Sequence, residues 1–435
     1  MLDRFQIHLK EHFPELLDSS FLVACSGGID SVVLAHLCAQ AGMSFGLAHC
    51  NFGLRGNESE EDQKFVKHLA AELQVPFFAT HFDTLGYVNQ NKVSIQIAAR
   101  ELRYQWFSEL LQTKEYDFMA TAHHLDDSLE TFIINLSRGT GIDGLTGIPS
   151  KINQIVRPLL PFSRDEILAY AEDQGISWRE DSSNEEIKYL RNKIRHQIIP
   201  PLKELHPTFL ENFKTTQHYL EDTALMLQYH IKSVKEELFI PYQNGYKIET
   251  ISLIALQPTD AYLHAIFSEY GFTAWGDILD LLTAMSGKEI RSRTHRLIKD
   301  RKYLLLQEIQ DSDRTKDEIN IAEELAEPPV KLKIETVQDI EEKNNTILYV
   351  DKETLNHKLT VRKWKKGDYF YPLGMDGKKK VAKFFKDEKM DTVAKENQWI
   401  LCCGDKIVWI IGRRADDRFK ITSKTKKILK VTVEE

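Results

Sequence analysis

The sequence predicts an α/β protein: a doubly wound parallel sheet at the N-terminal end, then a helical middle domain and a small α+β C-terminal domain. Three observations carry that reading. Strand-like apolar runs alternate with helix-like periods from residue 21 to about residue 122, the pattern of successive β-α-β units. The turn Ser26-Gly27-Gly28 breaks the first apolar run and opens a helix. The 435 residues exceed what one hydrophobic core usually serves, so the chain should divide, at about 1–205, 206–325 and 355–435.

Residues 21–25 are continuously apolar and end at the glycines, as a buried parallel strand does. Val32, Val33, Leu34, Ala35 and Leu37 then supply a helix that stops near Gly42. Strands are expected at 45–49, 76–82 and 117–122, and helices at 58–73 and 94–111. The second helix follows from the 3–4 residue spacing of Ile95, Ala98, Leu102 and Trp106. Parallel sheets bind ligands outside the carboxyl ends of their strands, so the glycine turn, His49-Cys50-Asn51 and His123-His124 should share one rim. Ser163-Arg164-Asp165-Glu166 reads as a capped helix start. Asp181-Ser182-Ser183-Asn184 reads as a loop, and 189–199 as a basic helix stopped by Pro200-Pro201. A long charged helix is expected from 206 to about 237, an acidic linker over 311–329, and short strands over 330–350. The terminal part should hold strands at 358–364, 399–403 and 407–412.

Composition excludes several classes. The net charge of −8 argues against a generally basic nucleic-acid binder while leaving room for local basic patches. No run approaches the roughly 20 apolar residues of a membrane span, and the opening residues lack the form of a signal peptide, which points to a cytoplasmic protein with no membrane partner. Five cysteines without a C-x-x-C spacing suit neither a disulfide framework nor a zinc ribbon.

Two glycines between strand and helix let backbone N–H groups approach an anion, and the helix dipole favours negative charge there. The lysine of an ordinary P-loop is missing, and Asp30 stands in the first helical turn. An acid beside a phosphate cradle implies a divalent cation between them; its bland alternative is a first-turn acid that stabilises the helix by about 0.3–1 kcal/mol. Downstream, Asp126, Asp127 and Glu130 crowd one helix end. That is unfavourable unless they cap the helix, with Asp126 as cap, or meet a cation. Asp127, alone or with Glu130, is therefore a candidate to complete a Mg²⁺ site with Asp30 or to draw in an ammonium group. Arg138, in a glycine-rich stretch that continues through Gly139 to Pro149, offers a fork for phosphate.

Ser26-Gly27-Gly28-Ile29-Asp30-Ser31 resembles the PP-loop, S-G-G-x-D-S, of the ATP pyrophosphatase superfamily, whose fold is that of the adenine nucleotide alpha hydrolases. The stretch 122–149 resembles the signature of the tRNA(Ile)-lysidine synthetase family. So do His49 to Arg55, Arg157-Pro158-Leu159-Leu160, Asp181 to Asn184, Arg191-Asn192-Lys193-Ile194-Arg195, Lys366-Gly367-Asp368 and Asp416 to Phe419. The family usually has histidine where Phe52 stands and glutamine where Ser128 stands. The resemblance implies a ligase that adenylates O2 of the wobble cytidine in the CAU anticodon of tRNA(Ile), after which L-lysine attacks C2 and AMP departs. It implies ATP as co-substrate with Mg²⁺, and allows a homodimer. Catalytic residues would be Asp30, Asp127 and Glu130. ATP would meet Ser26, Gly27, Gly28, Ile29, Asp30, Ser31, Arg138, Gly139 and Arg191, and metal would meet Asp30 and Asp127. Basic residues interleaved with Trp364, Tyr369, Phe370, Tyr371, Phe384 and Phe385 would serve RNA. The rivals are a PP-loop tRNA thiolase and a non-catalytic RNA-binding protein on the same fold.

Overall fold

The computed structural model describes residues 1–180, 190–309, 318–320, 330–342 and 344–434. The chain separates into two compact units, Met1–Tyr229 and His230–Glu435.

In the first unit, helices α1 (Leu2–His12) and α2 (Glu15–Asp18) precede β1 (Phe21–Ala24), α3 (Ile29–Gln40), β2 (Phe45–Asn51), α4 (Asn57–Glu72), β3 (Phe77–His81), α5 (Thr84–Asn91), α6 (Ile95–Lys114) and β4 (Phe118–Ala120). Then come α7 (Leu125–Arg138), α8 (Ile142–Leu145), β5 (Lys151–Ile152), β6 (Ile155–Val156) and α9 (Arg164–Asp173). The sheet order is β3-β2-β1-β4-β6-β5, parallel except for the β5–β6 hairpin. β1 thus pairs with β2 on one side and β4 on the other, and the chain reverses its direction of travel across the sheet at that point. Ligand crevices in such sheets open there.

Each strand buries alternate residues on opposite faces. Phe21, Val23 and Cys25 pack with α1, α3 and α9, while Leu22, Ala48 and Met119 meet Phe107, Leu110 and Leu111 of α6. Both faces are covered, as a doubly wound sheet requires. At roughly 1.5–3 kcal/mol for each large side chain removed from water, these layers supply the rigidity that holds the strand ends in place.

The basic segment departs from expectation. It forms α10 (Leu190–Lys193), a π-helical turn (Ile194–Ile198) and α11 (Ile199–Glu204), with Pro200 and Pro201 inside α11 rather than ending the helix. The prolines occupy the first turn, where a missing N–H costs nothing. Asp181 to Asn184 and Tyr189 lie outside the described residues. The long helix α12 (Phe209–Leu238) begins three residues later than expected.

In the second unit the end of α12 is followed by β7 (Ile240–Tyr242), β8 (Gly245–Glu249), α13 (Thr250–Ala255), α14 (Thr259–Phe267), α15 (Trp275–Thr283), β9 (Glu289–Arg291), β10 (His295–Asp300) and β11 (Tyr303–Glu308). Its helices pack on one face of an antiparallel sheet ordered β7-β8-β11-β10-β9. After β12 (Glu318–Asn320) come β13 (Lys331–Val337), β14 (Ile347–Asp351), β15 (Leu359–Lys363), β16 (Tyr369–Phe370), β17 (Lys379–Lys380), α16 (Val381–Asp387), α17 (Thr392–Glu396), β18 (Trp399–Cys403), β19 (Lys406–Ile410), β20 (Arg414–Ala415) and β21 (Ile428–Glu434). Residues 318–320 of the expected linker form β12 and pair with β15, while 311–317 and 321–329 lie outside the described residues. The strands of 330–350 belong with the chain's end, because β13 and β14 flank β21.

Candidate active site

The site is assembled from the loops that follow β1, β2 and β4. Gly27 has φ +94°, a conformation L side chains rarely adopt, and its carbonyl accepts from the Arg179 N–H at 3.0 Å. Ser31 donates to the Gly28 carbonyl at 2.9 Å and its oxygen lies 3.2 Å from the Ser26 N–H. The serine that follows the glycines therefore closes the loop on itself and aims it at the N-terminus of α3.

A cavity of about 680 Å³ lies above this loop. Ser26, Gly28, Ile29, Asp30 and Ser31 line one side, and Asp127, Arg191 and Arg195 contribute from elsewhere in the chain. The sequence-distant pair Asp30 and Asp127 meets around His124. The His124 Nε2 atom lies 3.7 Å from Asp30 Oδ1 and 3.5 Å from Asp127 Oδ2. Burial pushes the Asp30 carboxyl above the usual range, and Asp127 adds to the rise. Its Oδ1 is buried without a hydrogen-bond partner, while Oδ2 faces Arg164 Nη1 at 3.6 Å. Burial acts on Asp127 in the same sense, but His124, His123 and the His124 N–H outweigh it and hold this carboxyl below its ordinary value. Burial drives His123, on the cavity wall, down to about 4.

The acids of α7 are not solvated, and Asp126 is not the cap. His124 is the cap residue, and Asp127 accepts from its backbone N–H at 3.1 Å. Asp126 instead accepts from the Arg164 N–H at 2.8 Å and pairs with Lys203 at 2.6 Å. Glu130 is 1% exposed, with one carboxylate oxygen 2.5 Å from Arg195 Nε and the other 3.1 Å from Arg191 Nε. Arg195 also reaches Asp127 at 3.3 Å. The crowded acids thus meet cations supplied by the basic segment 191–203. Among the described residues no group of three or more His, Cys, Asp or Glu side chains has metal-binding form. Two carboxylates, one with an unpartnered oxygen, nonetheless suit Mg²⁺, which keeps several waters and takes few protein ligands.

Arg138 and Gly139 stand apart. Fourteen helical residues carry them about 20 Å from the start of α7, and both are exposed and outside the cavity lining. Gly27 and Glu130 are also outside the cavity lining: Gly27 lies close to Phe65 and Val66, and Glu130 is paired with Arg191 and Arg195. Several lining residues escaped the sequence reading: Arg164, Arg179, Trp178 and Asp62, whose carboxylate joins Arg55 at 2.8 Å to Arg179 at 2.6 Å. Arg103, Tyr104 and Phe107 also line the cavity, and their 3–4 residue spacing along one helix was the available signal.

The cysteines are free. Cys25 and Cys38 are buried and their thiols pushed up; burial raises Cys50, which lines the cavity, to about 12. None of these three is a ready thiolate.

Comparison with known proteins matches residues 1–202 to a PP-loop domain, 241–309 to a TilS substrate binding domain and 359–432 to a TilS substrate C-terminal domain. The chain is 37% identical over 435 residues to a tRNA(Ile)-lysidine synthase of Parabacteroides distasonis, covering 99% of each. It is 39% identical over 422 residues to that of Bacteroides thetaiotaomicron, covering 97% of this chain and 96% of the relative. A Porphyromonas gingivalis relative of the same name is 38% identical over 425 residues, covering 93% and 92%. Likeness of this extent, over nearly the whole length of the chain and of its relatives, places the chain in the tRNA(Ile)-lysidine synthase family.

Proposed function

We propose that this chain is the ATP-dependent ligase that converts the wobble cytidine of the CAU anticodon of tRNA(Ile) to lysidine, releasing AMP and pyrophosphate. The observation that carries the reading is the near-complete coverage by relatives of that name, together with a phosphate-binding loop that opens onto a carboxylate pair.

The chemistry suits the residues. A cytosine carbonyl oxygen is a poor leaving group, so O2 attacks the α-phosphorus, the Pα–O–Pβ bond breaks and pyrophosphate leaves. An amine of L-lysine then bonds to C2, the C2–O2 bond breaks, AMP departs with its electrons and the amine loses a proton. Backbone N–H groups at Gly27 and Gly28, with the N-terminus of α3, would hold the phosphates, and Ser26, Ile29 and Ser31 shape that cradle. Arg191 and Arg195 would meet the phosphate at which charge develops; such donors supply roughly 3–4 kcal/mol each in a dry site. Asp30 and Asp127 would hold a magnesium ion, which supplies positive charge against the polyphosphate when bound. Asp127 and Glu130 would attract the lysine ammonium group once the arginines turn toward phosphate. We assign the reaction to the cytoplasm, where tRNA, ATP and free lysine meet.

The rival thiolase reading needs a persulfide-carrying cysteine pair or a cluster; among the described residues the cavity lining holds Cys25 and Cys50, both with raised thiols, which does not favour it. Incubation with ATP, Mg²⁺, labelled lysine and a CAU-anticodon tRNA(Ile) transcript should yield a labelled nucleoside with one AMP and one pyrophosphate per modification. Absence of label together with no lysine-dependent AMP overturns the proposal.

A further inference from the structure

The cavity is lined by six arginines, Arg55, Arg103, Arg164, Arg179, Arg191 and Arg195. Five face carboxylates: Arg55 and Arg179 share Asp62, Arg164 faces Asp30, and Arg191 and Arg195 share Glu130. Arg103 differs. Among the described residues it has no ion pair and no hydrogen bond, and its guanidinium carbon stands 5.5 Å from the centre of the Phe52 ring.

That ring is itself held. Phe52 stacks on Phe82 with centroids 5.4 Å apart and planes at 26°, and Phe82 meets Trp106 edge-on at 6.4 Å. The Phe52 carbonyl accepts from the Thr84 hydroxyl at 2.8 Å, and Thr84 is buried. The aromatic ledge fixes where the guanidinium rests without neutralising its charge, since a ring face attracts a cation but carries no net charge. Arg103 also enters from α6, which covers the sheet face opposite to the one packed by α3. The phosphate loop and the uncommitted arginine are therefore on different walls of one cavity.

We infer that Arg103 is the contact for a backbone phosphate of the RNA strand that carries the reacting base, and that Phe52 is the positioning residue that presents it. This rests on the proposed function in taking an RNA substrate. A guanidinium already paired with a carboxylate has to loosen that pair before it takes a phosphate, as Arg191 and Arg195 must; an unpaired one gains the full charge-assisted hydrogen bonds with no pair to give up. Phe52 carries no titratable group, so the ledge itself does not change charge with pH.

The test measures tRNA(Ile) affinity by filter binding across a salt series, and ATP affinity separately with a fluorescent nucleotide. Arg103→Ala should weaken tRNA binding about tenfold at low salt and lower the slope of log affinity against log salt by about 0.7, the value for one single-strand phosphate contact. ATP affinity should stay within twofold. Arg103→Lys should retain most of the slope. Phe52→Leu, which keeps an apolar side chain, should reduce the slope partly, and Phe52→Tyr should restore it. An unchanged slope in Arg103→Ala, or a loss confined to ATP affinity, overturns the inference while the wild-type protein still binds tRNA and incorporates lysine. Failure of the wild type itself to bind tRNA overturns instead the function on which the inference rests.

Discussion

At the residue scale, Asp30 is an acid whose Oδ1 is buried without a hydrogen-bond partner. It is charged where solvent is scarce, and neither His124 at 3.7 Å nor Arg164 at 3.6 Å is close enough for a hydrogen bond. Its folded-state pKa is raised, so its contribution to stability is present below the unfolded value and is lost as pH rises through the folded one. At neutral pH the ionised carboxylate is therefore a net cost to the fold. Asp30→Asn should raise the midpoint of thermal unfolding at pH 7, by an amount that shrinks as the pH is lowered toward 4. The same change should lower lysidine formation by about 100-fold, the scale for loss of one electrostatic stabiliser. A substitution that lowers both activity and thermal midpoint would assign Asp30 to the scaffold instead. The sequence exposed this residue, because an acid in place of the usual phosphate-loop lysine is odd by itself. It could not expose His124 as the group between the two carboxylates, since that role depends on two loops 94 positions apart in the chain, Asp30 and His124.

At the element scale, α7 and α9 show how one helix start secures another. Ser163 accepts from the Glu166 N–H at 3.2 Å and Glu166 accepts from the Ser163 N–H at 2.8 Å, so the capping box read from the sequence forms. The same turn sends the Arg164 N–H to Asp126 and its guanidinium toward Asp30. Ser163→Ala should cost about 1 kcal/mol, measured by urea unfolding, and should raise the KM for ATP several-fold more than the KM for lysine. Equal effects on both would show that the cap stabilises α9 without placing Arg164. Periodicity found most helices but misjudged some faces. Ile95, expected on the buried stripe of α6, is 43% exposed, whereas Phe107 is 1% exposed. Spacing gives a helix's angular pattern, and the neighbouring elements decide which part of it is covered.

Across the whole molecule, the same distinction governs the basic C-terminal stretch. Phe370, Phe384 and Phe385 are core residues, 0%, 3% and 0% exposed, so they are not stacking platforms for RNA as expected. Tyr369 stays exposed beside Lys378, whose ammonium lies 5.4 Å from its ring centre. Lys379 is paired with Asp387 at 2.7 Å, whereas Lys378, just before β17, and Lys380, within it, are exposed. Charge reversal of Lys378 and Lys380 together should weaken tRNA(Ile) binding and lower the salt slope by about 0.7–0.9 for each phosphate that these lysines neutralise, with ATP affinity unchanged. Equal affinity across the salt series would count against this surface. In the same unit the middle sheet is buried on both sides. Leu297 and Leu304 face its helices, while Ile298 and Leu305 meet Val393 of α17. Nothing local could announce that second face, because its cover comes from a helix far downstream in the chain.

The sequence by itself determined the alternation that makes the parallel sheet, the glycine turn at the end of β1, the acids that face it and the family. Each of these is written in local residue order, where backbone preference and side-chain chemistry act over a few positions. Tertiary structure alone decided that Arg191, Arg195 and Lys203 balance the α7 acids, that Arg138 lies outside the cavity, and that three phenylalanines are core. Those outcomes depend on which distant charges and surfaces the closed fold brings within a few ångströms, and neither burial nor ion pairing exists until the chain has packed.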